Sequence, residues 1–346
     1  MTDIASNADG NPLVLGRKGV SFPHFRPRLP WLGGDLQTLR NTFMRPSPDF
    51  APYPSERLFL KMNDGSGDAL WALANRPSHD AGKPTVVLVH GLTGCETSRN
   101  IMVSAAYHLS QGYPVIRLNL RGAGPSLGTC EGHYHAGRSA DLRDAITALP
   151  NRLKSAGLFV VGVSLGGNVV LKYMAENESM DYILGAAAVC APIDLRAAQQ
   201  RIMEPRNAIY HRHLLRSMKQ DALLWTEKNA NSVRGALPKI NSVYDFDDLI
   251  VAHHNGFDGA EDYYKRSSAK PLLGQIDKPT LLLHPRTDPW VPAQMYLDLP
   301  WPEDAALTLV MPPDGGHVGF HESVSQIPWH DRCIGNFLAA QDAGSV

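Results

Sequence analysis

Apolar positions along the chain fall into short blocks of two alternating kinds. Six of them, at 84–90, 115–119, 158–163, 183–190, 279–284 and 307–311, are nearly continuous and rich in Val, Ile and Leu. Blocks that short and that apolar read as strands buried on both faces of a sheet. Between several of them the spacing changes to helical. A helix is predicted over 97–111. Another spans 136–149, with Leu142, Ala145, Ile146 and Leu149 on one face and Pro150 as its stop. A third, 165–176, places Val169, Val170, Tyr173 and Met174 together. Upstream, 56–62 and 69–74 flank Asn63-Asp64-Gly65-Ser66-Gly67 and read as an antiparallel hairpin. Strands alternating with helices demand a mostly parallel central sheet with helices on both faces, the α/β class.

The alternation stops between 191 and 273. Leu214, Leu215, Met218, Leu223, Leu224 and Trp225 give that stretch helical apolar faces. It is predicted to be a helical cap inserted after the sixth strand. Residues 1–55 read as an N-terminal extension, and 1–346 as a single α/β domain without internal repeats.

Composition narrows the class. Hydrophobic residues make up 43% of the chain, enough for a large core, and no apolar run approaches the roughly 20 residues that span a bilayer. The first ten residues show neither a basic nor an apolar leader segment, so a cytoplasmic protein is expected. Cys95, Cys130, Cys190 and Cys333 are widely spaced and fit reduced thiols. A net charge of −1 does not suggest a nucleic-acid partner. Between Arg201 and Arg234, seven Lys or Arg face three acidic residues. That suits a solvated helix face, and it would equally suit peripheral contact of the cap with an anionic membrane. Oligomeric state is not legible.

Chemistry enters at Gly162-Val163-Ser164-Leu165-Gly166, where the strand 158–163 turns into the helix 165–176. A serine flanked by glycines two residues away on each side, at a strand-to-helix turn, is a nucleophile elbow of the α/β-hydrolase fold. The turn is too sharp for side chains at 162 and 166, and it exposes the hydroxyl beside a helix N-terminus. By itself the pattern also suits a serine that caps a helix. Downstream partners decide between the two. Asp288 follows the strand 279–284, 124 residues after the serine, and His317 follows the strand 307–311, a further 29 on. Serine, acid and histidine in that order, each just beyond a strand, predict a triad of Ser164, Asp288 and His317. The strand 84–90 runs into Gly91-Leu92-Thr93-Gly94. The backbone amides of Leu92 and Leu165 are therefore the predicted oxyanion hole.

Other residues invite functional readings that their settings argue against. His90 lies inside a strand-to-loop turn and is expected to orient the loop. Asp247 and Asp248 precede a helix-like segment and are expected to cap it. His133, His135 and Asp141 lack the spacing of a zinc hydrolase, so no metal or cofactor is expected. Arg121 is expected to pin its loop by ion pairing.

Further motifs accompany these residues: Leu36-Gln37-Thr38, Asn119-Leu120-Arg121-Gly122, His133-Tyr134-His135-Ala136-Gly137, Asp245-Phe246-Asp247-Asp248, Gly256-Phe257, Tyr263-Tyr264, and Gly315-Gly316-His317-Val318-Gly319-Phe320. Over roughly residues 30 to 340 the chain resembles the YheT-like α/β hydrolases, type 4 of the AB-hydrolase superfamily. That group includes membrane-associated lipases and medium-chain acyltransferases. The resemblance implies a Ser–Asp–His triad, which falls on Ser164, Asp288 and His317, and it brings no metal. Two departures concern the pocket. Asp35 stands where the family often has histidine, and the loop after Gly94 lacks a tyrosine often found there. The expected reaction is cleavage of short- to medium-chain acyl esters, small-molecule substrates, through an acyl-enzyme. Acyl transfer or thioester cleavage would use the same parts; a serine peptidase and a binding protein on this scaffold are the remaining readings.

Overall fold

The computed structural model describes residues 10–44, 47–77, 82–176 and 181–343, apart from the side chains at 226–232 and 343. Residues 1–9, on which most of the leader reading rests, lie outside the described residues. Nine strands form one sheet: β1 (Leu13–Gly16), β2 (Ser55–Lys61), β3 (Ala69–Asn75), β4 (Thr85–Val89), β5 (Val115–Leu118), β6 (Leu158–Val163), β7 (Ile183–Val189), β8 (Thr280–Leu283) and β9 (Leu307–Met311). Their order is β1-β9-β8-β7-β6-β4-β5-β3-β2. The six central strands, from β9 to β5, run parallel. The predicted hairpin β2–β3 closes one edge antiparallel to β5, and β1 closes the other antiparallel to β9.

Period-two alternation sorts the strand residues between two cores. Val86 and Leu88 of β4 face helix α2 (Arg99–Ser110) and the C-terminal helix Trp329–Ala343. Val87 and Val89 face α3 (Ser139–Ala148) and α4 (Leu165–Glu176). All four are at most 1% exposed. Each such side chain contributes about 1.5–3 kcal/mol through burial, so the central strands are the least replaceable part of the fold. The helix over 33–43 was not read from the sequence as an element; it forms α1 (Gly33–Phe43) within the N-terminal 55 residues.

Between β7 and β8 the chain is helical, and α5 (Leu195–Ile202) and α6 (Ala208–Ala236) are its principal elements. This insertion follows the seventh strand rather than the sixth, because β1 gives no signal beyond four residues of mixed exposure. It has an apolar centre of its own, including Leu215, Met218, Trp225 and Phe246. Leu223 and Leu224, expected on an apolar face, point outward at 45% and 62% exposure. Among the described residues, no helix is long and apolar enough to cross a membrane, and all four cysteines are free.

Candidate active site

Loops at the C-terminal ends of four parallel strands converge on one point, the usual place for a site in an open α/β sheet. Leu92 follows β4, Ser164 follows β6, Asp288 follows β8 and His317 follows β9. The elbow is as crowded as the glycines suggest. A Cβ at Gly162 would lie 2.3 Å from the Gly166 carbonyl oxygen, and one at Gly166 would lie 2.3 Å from that of His90. Ser164 itself takes a φ of +53°, a left-handed conformation that costs an ordinary residue about 1–3 kcal/mol. The flanking structure holds it there: its amide donates to Val189 O, and its carbonyl accepts from Gly167 as α4 begins.

Ser164 Oγ lies 2.9 Å from His317 Nε2, and His317 Nδ1 lies 2.9 Å from Asp288 Oδ2. An ionised Asp288 can only accept, so Nδ1 carries the proton and Nε2 is left to accept from the serine hydroxyl. Burial alone would raise the Asp288 carboxyl. The charge and hydrogen bond of His317, then His284 and the Trp290 amide, outweigh that and hold it below its usual value. Its second oxygen is fully used by the Trp290 and Val291 amides at 2.8 and 3.1 Å. The Trp290 ring stacks on the imidazole, 4.6 Å between centroids and 19° from parallel. The His317 backbone amide donates to Thr38 Oγ1 at 2.8 Å, so α1 reaches into the site.

The amides of Leu92 and Leu165 donate to no protein acceptor among the described residues. Gly91 permits a close approach here, since a Cβ would lie 3.0 Å from Ser164 Cβ. The neighbouring Thr93 amide, by contrast, is bound to Tyr134 Oη at 2.6 Å. His90 bridges the loop from inside: Nδ1 bonds Gly91 O and Nε2 accepts from the Leu120 amide. Arg121 binds Asp64, Asp68 and Asp141 and fastens the loop after β5.

The metal-ligand reading of His133, His135 and Asp141 has no geometric basis: Asp141 is engaged by Arg121, and His135 Nδ1 accepts from the Gly137 amide. Among the described residues the compact group of metal-binding types is instead Cys190, Asp288 and His317. Two of these are already spent on one another, and burial pushes the Cys190 thiol up, away from the thiolate form a metal needs.

The expectation that the paired aspartates cap the segment they precede needs correction for both: they lie inside a helical run whose start is capped by Ser242 and Asp245. Asp248 Oδ1 accepts from the Ala260 amide and so caps the helix Ala260–Ser267, twelve residues on. Asp247 caps nothing. It is buried at the start of a π-helical stretch, Asp247–Ala252, and lines the same cavity as Ser164. That cavity is about 760 Å³ and runs from α1 and the Leu92 loop beneath α5 and α6. Sequence reasoning also missed Thr38, Tyr134 and Trp290 as neighbours of the chemistry. Thr38 and Tyr134 had a cue in the motifs that contain them, and Trp290 had one in its place two residues beyond the predicted acid.

Burial gives the molecule a pH signature. Desolvation pushes His90, His108, His133 and His284 down to about 4. In the unfolded chain each would titrate near 6.5. Below that, the unfolded state takes up protons that the folded state refuses, and each group removes about 1.4 kcal/mol of stability per pH unit down to its folded value. Asp247, pushed up to about 7 by burial, works in the opposite direction, as do Asp221 and Glu322, but the depressed histidines, His321 at about 3 among them, outnumber these carboxyls. The urea midpoint is therefore expected to fall steeply between pH 6.5 and 5. A midpoint that is flat across that range contradicts the burial of these rings.

An alpha/beta hydrolase fold family matches residues 84–324. The putative esterase YheT of Escherichia coli K12 is 30% identical over 87% of this chain and 88% of its own length. A monoacylglycerol lipase of Saccharomyces cerevisiae is 28% identical over 75% of this chain and 60% of its own. Among solved structures, the Pyrococcus furiosus esterase Pf2001 superposes with a TM-score of 0.55 at 16% identity, covering 86% of this chain and 98% of that one. The last is a likeness of fold alone.

Proposed function

Because the chain belongs to the α/β-hydrolase fold family, and within it to the YheT-like group, we propose that it is a serine hydrolase of carboxylic esters. The observation that carries this reading is the unbroken line from Asp288 through His317 to Ser164, 2.9 Å at each link. His317 Nε2 takes the Ser164 proton as Oγ attacks the ester carbonyl. Asp288 keeps the imidazole in that tautomer and stabilises the imidazolium. The Leu92 and Leu165 amides receive the oxyanion, an interaction worth about 2.7–4 kcal/mol per donor in serine hydrolases. His317 returns the proton to the leaving alcohol, and water, activated by the same ring, releases the acyl group. Where an alcohol outcompetes water at that step, the outcome is acyl transfer, and the names of the relatives as esterase and lipase favour water. Hydrolysis of a series of p-nitrophenyl esters, with labelling by a fluorophosphonate probe, tests the reading. Neither turnover nor labelling in folded protein would dismiss it.

The helical insertion supplies the substrate's surroundings as a cap. Leu195, Ile202, Leu214, Met218, Phe246 and Val251 line the cavity, so short- to medium-chain acyl esters are the proposed substrates. Each methylene that fits adds about 0.8 kcal/mol of binding. Specificity constants are expected to climb with acyl length and then fall once the pocket is full. Shortening the 206–234 region in a variant that still folds is expected to flatten that profile and to spare acetate. A profile that is flat in the intact protein, or unchanged in the shortened one, would show that the cap does not select substrate.

A further inference from the structure

One wall of the cavity carries polar groups that the serine chemistry does not use. Asp247 is 8% exposed and has no cationic partner. Tyr264 Oη donates to its Oδ2 at 2.7 Å, and Oδ1 has no protein partner among the described residues. His135 is 9% exposed; its Nδ1 accepts from the Gly137 amide, which leaves the proton on Nε2 with no protein acceptor. Tyr263 Oη accepts from the Ala136 amide and keeps its own proton free. The groups are contiguous. The His135 and Tyr263 rings lie 5.7 Å apart and the Tyr263 and Tyr264 rings 5.4 Å apart. All four residues line the cavity that contains Ser164.

An apolar acyl chain gives such a wall nothing. A carboxyl oxygen, an imidazole N–H and a phenol O–H that face a cavity without a protein partner are groups that a polar ligand can complete. The π-helical stretch beginning at Asp247 is a second mark of such a place, since it interrupts a regular helix beside the cavity. We propose that Asp247, Tyr264, His135 and Tyr263 form a subsite for a hydroxyl group on the substrate, separate from the scissile ester. This rests on the ester-hydrolase reading. Chemistry selects the hydroxyl. The wall presents both an acceptor, Asp247 Oδ1, and donors, His135 Nε2–H and Tyr263 Oη–H, which a hydroxyl satisfies together. A carboxylate or phosphate would meet Asp247 with no Lys or Arg among these four to offset it. An ammonium group would leave the donors unpaired, and burial, which pushes Asp247 up to about 7, weakens its hold on a cation.

The test compares matched esters on the whole protein. One arm is a ladder of p-nitrophenyl ω-hydroxyalkanoates against the plain alkanoates, from butyrate to decanoate. The other is ω-hydroxyalkyl butyrates against alkyl butyrates of the same lengths. Together the arms show whether the hydroxyl enters on the acyl or the alcohol side. In the wild type, at one length in one arm, kcat/KM for the hydroxylated ester is expected to exceed its plain partner by roughly tenfold or more. In Asp247→Leu and, independently, in Tyr264→Phe, that ratio is expected to fall toward one. A ratio near one at every length in both arms overturns the subsite without touching the hydrolase reading, and needs no variant to fold. A ratio that persists in either folded variant, or a stronger preference for ω-amino esters, overturns it as well. Absence of hydrolysis of every ester would instead be a failure of the underlying function.

Discussion

Replacing Ser164 by alanine is expected to lower ester turnover by several orders of magnitude and leave the fold intact. The side chain is the nucleophile of the proposed reaction, and no other hydroxyl lies within hydrogen-bond reach of His317 Nε2 among the described residues. Its removal costs little packing, because one oxygen is deleted from the floor of an open cavity. The φ of +53° is no harder for alanine than for serine, so stability should change by well under the 1–3 kcal/mol already stored in that turn. The measurement is hydrolysis of p-nitrophenyl butyrate beside a thermal melt and fluorophosphonate labelling. Turnover within threefold of wild type, in protein that no longer labels, would sink the serine mechanism.

Asp288→Asn is expected to lower kcat by several orders of magnitude; in a well-studied serine protease the equivalent change costs roughly 10⁴-fold. The reason is directional. Asparagine can turn its NH₂ toward His317 Nδ1, which then accepts, and the proton moves to Nε2, where it blocks the serine. The other carboxylate oxygen also holds the Trp290 and Val291 amides, and an amide that presents its oxygen to them presents its nitrogen to the ring. His317→Ala is expected to be nearly as severe as Ser164→Ala, because residues that act as a unit do not contribute additively. Larger damage to turnover from Asp247→Asn than from Asp288→Asn, at equal stability, would mean that the acid has been assigned to the wrong residue.

Much of this was legible in the sequence. The parallel strands announce themselves because burial on both faces leaves no polar position to blur the pattern, as in the Thr-Leu-Leu-Leu of β8. The elbow and the loops carrying Asp288 and His317 could be placed because each directly follows such a strand. What escaped depends on tertiary contact. β1 is four residues that pair, among the described residues, with β9, nearly three hundred positions away. α1 has just three buried residues, Gly34, Gln37 and Thr38, so its face gives almost no apolar period. Asp247 looked like a helix cap because a local reading pairs it with the helix that follows, and the true partner, Tyr264, lies 17 residues on.

The contact between Thr38 Oγ1 and the His317 amide spans 279 residues. It is one of several between α1 and the histidine loop: Asp314 accepts from the Gly33 amide, Gln37 binds His321, and a Cβ on Gly316 would sit 2.3 Å from the Thr38 nitrogen. On the ribosome, residues 33–43 emerge before 314–321 and must wait for them to complete these contacts. The general base is thus seated only after the histidine loop has been made. Such long-range closure is slow, and it means that a nascent or C-terminally truncated polypeptide carries the serine in its elbow without being able to fire it.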